Sequence, residues 1–156
     1  MHESSDPYFL AETIALVALA PRAKSRGELF DLLKRRGVTE DIANAVLYRL
    51  QEQGHINDEE FARAWSESRQ RAKKLSKRTI STELRGKGVS QEIIELVTSE
   101  IGHEEELAIA LELTTRKFRS MSSLDTEVAR RRLHGALARR GFSSSVINEC
   151  MREIGI

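Results

Sequence analysis

Three glycines, Gly37, Gly88 and Gly141, stand 51 and 53 residues apart, and one pattern is written around each of them. Eight and four residues before the glycine come Leu29 and Leu33, then Ile80 and Leu84, then Leu133 and Leu137. The residue just before it is basic (Arg36, Lys87, Arg140), the one after is apolar (Val38, Val89, Phe142), and the next carries a hydroxyl (Thr39, Ser90, Ser143). Apolar residues follow at plus five, nine and thirteen: Ile42, Val46 and Leu50; Ile93, Val97 and Ile101; Val146, Cys150 and Ile154. Self-similarity at such a period marks a repeat architecture.

The chemistry of the unit follows from the spacing. Apolar residues four apart share one helix face. The glycine suits the left-handed position that ends a helix, and the basic residue before it suits the negative end of the dipole. The hydroxyl residue suits the start of the next helix, with the preceding apolar residue as a staple. Each glycine therefore predicts two amphipathic helices joined by a tight turn.

A third helix precedes each pair. It is expected from about Tyr8 to Ala20 in the first unit. In the second it opens on Asn57-Asp58-Glu59-Glu60, read as a cap with a capping box, and carries Phe61, Ala62, Trp65 and Ser68 on one face. In the third it begins near Glu104 and carries Leu107, Ala108, Leu111 and Phe118. Ser25-Arg26-Gly27-Glu28 is a further capping box. The expectation is an all-α chain of three tandem three-helix repeats, divided at 1–55, 56–102 and 103–156. A unit of about fifty residues buries little surface alone. Neighbours should stack, and stacking predicts an elongated or curved molecule.

The net charge is only +1, so the distribution of charge carries the information. One basic run holds Arg69, Arg71, Lys73, Lys74, Lys77, Arg78, Arg85 and Lys87, opposed only by Glu83. A second holds Arg116, Lys117, Arg119, Arg130, Arg131, Arg132, Arg139 and Arg140, opposed by Asp125 and Glu127. Lys34-Arg35-Arg36 is a smaller third cluster. Such runs can be solvated helix faces, or basic ends that suit the helix dipole. Recurrence in neighbouring repeats favours an electrostatic footprint for phosphates or an acidic protein surface. The candidate contacts are Arg69, Arg71, Lys73, Lys74, Lys77, Arg78, Arg85, Lys87, Arg130, Arg131, Arg132, Arg139 and Arg140. The first run holds no aromatic residue and the second holds only Phe118, too few for a stacking surface. Contact with single- or double-stranded DNA should therefore go to the backbone without sequence preference.

Signs of catalysis are missing from the sequence. His2, His55, His103 and His134 have no ligand spacing, and no cofactor motif is present. Gly86-Lys87-Gly88 lacks the spacing of a phosphate loop and falls at a repeat turn. Cys150 takes the repeat position of Val46 and Val97, which predicts a small core residue, and Trp65 is likewise expected in the core. A single cysteine excludes an internal disulfide and fits a reducing compartment. The start Met1–Asp6 is acidic where a signal peptide is basic, and the apolar run Ile14–Ala20 is too short to cross a bilayer. A non-enzymatic, cytoplasmic, monomeric protein without metal, cofactor or membrane association is expected.

The string Ile56-Asn57-Asp58-Glu59-Glu60-Phe61-Ala62-Arg63-Ala64-Trp65, with Ser68-Arg69 and then Ile80, Glu83-Leu84 and Lys87-Gly88-Val89-Ser90, resembles the RecX family of bacterial regulatory proteins. The likeness extends over Ser25 to Gly54 and over Arg139-Arg140-Gly141-Phe142-Ser143, nearly the whole chain. It implies tandem three-helix repeats. It also implies binding to the RecA recombinase and its DNA filament, lying in the filament groove and restraining ATPase, strand exchange and coprotease activity. Three features depart from the pattern: Asn57 stands where an acid is common, Lys73-Lys74-Leu75 replaces a Gly-containing turn, and the N-terminus is short and acidic where many members carry a basic arm. Besides a filament regulator, a helical protein acting on DNA alone and a protein–protein adaptor with a merely solubilising basic face remain open.

Overall fold

The computed structural model describes residues 6–156; the acidic start before Asp6, with His2, lies outside them. Among the described residues the chain forms nine helices and no strand, in three sets of three. The first set is α1 (Pro7–Leu19), α2 (Arg26–Arg35) and α3 (Glu40–Glu52). The second is α4 (Asp58–Lys73), α5 (Lys77–Gly86) and α6 (Gln91–Ser99). The third is α7 (His103–Arg119), α8 (Thr126–Arg139) and α9 (Ser144–Ile154).

The three glycines take the left-handed conformation, with φ of +86° at Gly37, +78° at Gly88 and +92° at Gly141. The residue after each returns its N–H to the carbonyl of the leucine four before the glycine. Val38 donates to Leu33 at 2.9 Å, Val89 to Leu84 at 3.1 Å and Phe142 to Leu137 at 3.3 Å. This satisfies helix-end carbonyls that would otherwise be orphaned. Ser90 and Ser143 then cap the following helix through their hydroxyls, from Ile93 N and Val146 N. Thr39 precedes α3 without a side-chain cap bond.

The chain divides into two compact units: Met1–Ala64 with Leu84–Ile94, and Trp65–Glu83 with Glu95–Ile156. The first has a core of Ala11, Ala15, Leu29, Leu33, Ala43, Val46, Leu47, Leu50 and Ile56. The second has a core of Ala110, Leu113, Leu133, Leu137, Phe142, Val146, Ile147, Cys150 and Met151. Full burial of one such leucine is worth about 1.5–3 kcal/mol.

Two helix faces differ from the sequence expectation. On α4 the inner face runs through Phe61, Ala62, Ser66 and Gln70, while Ser68 is exposed. Trp65 is only half-buried: its indole Nε1 donates to Glu83 Oε1 at 3.0 Å, and the Arg69 guanidinium lies 5.5 Å from its ring centre. On α7 the buried residues are Glu106, Ala110, Leu113 and Thr114; Leu107, Leu111 and Phe118 are half-buried and Ala108 is exposed. Both helices carry two stripes of helical period; on α4 the inner Ser66 Oγ and Gln70 Nε2 have no hydrogen-bond partner among the described residues, whereas on α7 the inner polar residues each have a local use. Thr114 returns its hydroxyl to Ala110 O at 2.7 Å, and the Glu106 carboxylate serves a neighbouring helix end. After the glycines, the innermost position at the start of the next helix is plus six (Ala43, Ile94, Ile147), with Ile42 and Ile93 half-buried.

That use of Glu106 belongs to a joint built twice. In the first unit the buried Ser25, which caps α2, donates its hydroxyl to Lys87 O at 2.6 Å, and Arg26 N donates to Asp58 Oδ1 at 2.8 Å. In the second unit the buried Ser76, just before α5, donates its N–H to Arg140 O at 3.1 Å. There Thr79 Oγ1 donates to the same carbonyl at 3.0 Å, and Lys77 N donates to Glu106 Oε2 at 2.6 Å. In both joints the start of a second helix is seated on the basic residue before the next repeat's glycine and is capped by a carboxylate from the next repeat's first helix. The carboxylate meets unpaired N–H groups at the positive end of the dipole, which offsets the cost of burying it.

Glu28 reinforces the first joint. Its carboxylate accepts from Arg22 Nη2 at 3.0 Å, Ser25 N at 3.1 Å and Lys87 Nζ at 3.2 Å. Burial pushes this acid up, but the bonds from Arg22, Ser25 and Lys87 outweigh burial and hold it at about 2. A depressed carboxylate stabilises the fold above its unfolded pKa, and that stability is lost as pH falls through the folded value. Replacing Glu28 with Gln should therefore cost about 2–3 kcal/mol at pH 7. The gap from the parent should close between about pH 4.5 and about pH 2. Denaturant titrations at a series of pH values check this; a gap that does not vary with pH would contradict it.

Candidate nucleic-acid interface

The first basic run is carried by the second half of α4, the α4–α5 turn, α5 and the turn after it; the second is divided between the end of α7 and α8 with its C-cap. Lys74 occupies the turn where the family resemblance leads one to expect glycine, and it takes φ of +53°, the sole positive value among described non-glycine residues. A side chain in that region costs about 1–2 kcal/mol. Lys74 Nζ reaches Glu112 Oε1 at 3.0 Å, a contact that helps hold the strained turn.

Seven of the thirteen candidate cations are engaged within the protein. Arg69 makes two bonds to Glu83, at 2.9 and 2.7 Å, and both Arg69 and Glu83 lie in the second unit. Lys74 holds Glu112, Lys77 Nζ lies 3.5 Å from Ile101 O, and Arg130 pairs with Glu127. Arg140 donates from Nε to Lys73 O at 3.2 Å and from Nη1 to Ala136 O at 3.4 Å. In the first unit Arg85 donates to Gln91 Oε1 at 3.3 Å, and Lys87 is held by Glu28.

The other six, Arg71, Lys73, Arg78, Arg131, Arg132 and Arg139, are exposed and have no side-chain partner among the described residues. All six belong to the second compact unit. The second joint brings the two runs together although they are some sixty residues apart in sequence. Arg140 O accepts from Ser76 and Thr79 while Arg140 Nε bonds Lys73 O, so Lys73, Arg78 and Arg139 flank one seam. Arg132 and Arg139 are seven residues apart on α8 and share its side, about 10.5 Å from one another along the axis. Cations with no internal partner are the ones able to release counterions from a phosphate chain.

The first unit offers a different surface. A polar cleft of about 800 Å³ is lined by Asp31, Glu40, Glu52, Asp58 and Glu59 against only Arg26 and Arg85. That balance repels phosphate.

Among the described residues no group of three or more His, Cys, Asp and Glu could hold a metal ion. Among the described residues no helix is long and apolar enough to cross a membrane. Cys150 sits in the core of the second unit with no exposed surface, and burial raises its thiol above the ordinary range. A thiolate is the reactive form, so this thiol should be inert. Cys150→Val is expected to leave partner binding unchanged, and a thiol reagent should label the native parent only after denaturation. Fast labelling of folded protein would contradict this.

The joint residues Ser25, Ser76, Asp58 and Glu106 are the structural feature that motif reading missed. A signal was present: Ser25 and Ser76 each stand twelve residues before their glycine.

Three family models match the chain in order: RecX first three-helix domain over residues 11–50, second over 57–97 and third over 104–151. The chain is 38% identical over 148 residues to "Regulatory protein RecX" of Streptomyces lividans, covering 95% of this chain and 79% of that protein. It is 37% identical over 152 residues to the protein of the same name from Amycolatopsis mediterranei, covering 95% of this chain and 87% of the relative. The crystal structure of RecX from Lactobacillus salivarius superposes with a TM-score of 0.87 at 19% identity, covering 96% of this chain and 97% of that one. A second crystal structure, of regulatory protein RecX, gives 0.82 at 21% identity, covering 95% and 73%. With its three-helix repeats matched in order and 95% of its own length aligned to these relatives, the chain belongs to the RecX family of regulatory proteins.

Proposed function

We propose that this protein binds the RecA recombinase–DNA filament and modulates it, mainly by inhibiting ATP hydrolysis, strand exchange and coprotease activity. It acts as a cytoplasmic monomer without catalysis of its own, built as repeats 1–55, 56–102 and 103–156. The carrying observation is the set of six unpartnered cations on the second compact unit, in a chain of the RecX family. They suit a DNA backbone read without sequence preference. Phosphate attraction alone would also explain such a surface, so a protein acting on bare DNA is the alternative reading.

The two readings differ in what they bind. Fluorescently labelled protein is titrated onto single-stranded DNA and onto the same DNA coated with recombinase. Tighter binding to the coated strand supports filament regulation. Tighter binding to bare DNA, with displacement by the recombinase, favours the alternative.

A further inference from the structure

Each joint has a receiving half: the basic residue and glycine of a turn, and the start of that repeat's first helix. The second and third repeats use theirs. A Cβ on Gly88 would lie 2.9 Å from Gly27 Cα, and one on Gly141 would lie 2.0 Å from Thr79 Oγ1. The first repeat has the same turn, with nothing seated on it among the described residues. Gly37 shares the backbone conformation, but a Cβ there meets nothing within 4 Å among the described residues. Among the described residues the Arg36 carbonyl, equivalent to those of Lys87 and Arg140, accepts no hydrogen bond, and the exposed Arg36 side chain has no partner.

The first helices can be aligned on their buried alanines, Ala11, Ala62 and Ala110. Four residues earlier stand Pro7, Asp58 and Glu106; the latter two cap the seated helix. One residue earlier stand Leu10, Phe61 and Ile109. Phe61 is 6% exposed and Leu10 is 51% exposed. The repeats thus supply their own control: the position is buried at Phe61 and partly buried at Ile109, where helices are seated, and most exposed at Leu10, where none is.

We propose that this empty half-joint, Arg36–Gly37 with Leu10, seats the N-terminus of a helix from the recombinase, one with a Ser or Thr cap and a carboxylate in its first turn. The occupant is read from the first joint. There the Ser25 hydroxyl meets the Lys87 carbonyl, and Glu28, three residues after Ser25, pairs with the Lys87 ammonium at 3.2 Å. Arg36 offers the same carbonyl and a cation at the same place, within the exposed cluster Lys34-Arg35-Arg36 that favours an acidic helix start. A second copy does not fit. Twelve residues before Gly141 stands Ala129, buried inside α8, so the last repeat has no helix start in register to donate. The choice of the recombinase as partner rests on the function proposed above.

The test compares Leu10→Glu, Arg36→Glu and Arg35→Glu with the parent full chain. Binding is measured to recombinase-coated single-stranded DNA and to the bare strand, with thermal melts by circular dichroism. Leu10→Glu and Arg36→Glu are each expected to weaken filament binding at least tenfold, with bare-DNA binding and the melt essentially unchanged. Arg35→Glu, outside the joint, is expected to change filament binding less than threefold. Parent-like filament binding by both half-joint variants would overturn the proposal while leaving filament regulation standing. So would equal losses from Arg35→Glu and Arg36→Glu, which would mean a diffuse charge effect. A parent dimer in sedimentation that Leu10→Glu dissolves would assign the face to self-association and overturn it too. If the parent itself does not bind the filament, the functional reading fails, and the half-joint's assignment to the recombinase fails with it.

Discussion

Gly27→Ala is expected to destabilise the protein by about 2–4 kcal/mol, although the same change in an ordinary helix gains up to about 1 kcal/mol. Gly27 is the second residue of α2, and a Cβ there would stand 2.6 Å from Lys87 O and 2.8 Å from Gly88 Cα. Both neighbours are backbone, so no side chain can swing aside. Relief requires the first joint to open, which loses the Ser25–Lys87 and Arg26–Asp58 bonds and strains the Lys87–Glu28 pair. Gly141→Ala should act similarly on the second joint, with an added left-handed penalty of about 1–2 kcal/mol. Gly37→Ala is the matched control: it has the same backbone region and no neighbour, so it should cost only that penalty. Thermal unfolding measures all three, each kcal/mol shifting the midpoint by about 2–4 °C at this chain length. A Gly27→Ala protein as stable as the parent would remove the physical basis of the joints.

Reversing Lys73, Arg78 and Arg139 to Glu should weaken filament and DNA binding about a hundredfold or more at moderate salt. These three flank the seam made by Arg140 with Lys73, Ser76 and Thr79, and none has a side-chain partner to lose among the described residues. The fold should therefore survive, as a parent-like circular dichroism melt would report. The salt slope should also flatten by about 2, from about 0.7 per phosphate contact on single strands. Reversal of Arg69 and Lys74 is the informative contrast. Their charges are spent on Glu83 and Glu112, so the expected loss is mainly of stability. If the first set binds like the parent, the unpartnered cations are a solvated face and nothing more.

Much of the fold was legible because a short-range rule was repeated. Glycine in a left-handed turn, a basic residue before it and apolar residues four apart specify two helices and the turn between them. The pattern did not reveal which stripe of α4 and α7 turns inward. Both helices carry two acceptable stripes, and the choice depends on distant partners: Glu106 on the start of α5, and Trp65 on Glu83. The candidate interface was legible as basic runs but not residue by residue. Arg69, Lys74 and Lys87 look like Arg71, Lys73 and Arg78 in sequence, and only the positions of Glu83, Glu112 and Glu28 in space separate them. The left-handed Lys74 was hidden for the same reason, since its strained turn is held in place by a carboxylate 38 residues away.

Regulation of a recombinase filament is read out most directly by ATP hydrolysis of the host RecA-type recombinase on single-stranded DNA. The protein is added in substoichiometric amounts, with the Lys73, Arg78 and Arg139 reversal variant alongside. A dose-dependent fall in hydrolysis is expected with the parent, and little or none with the variant. Hydrolysis unchanged by the parent at every dose would contradict filament regulation.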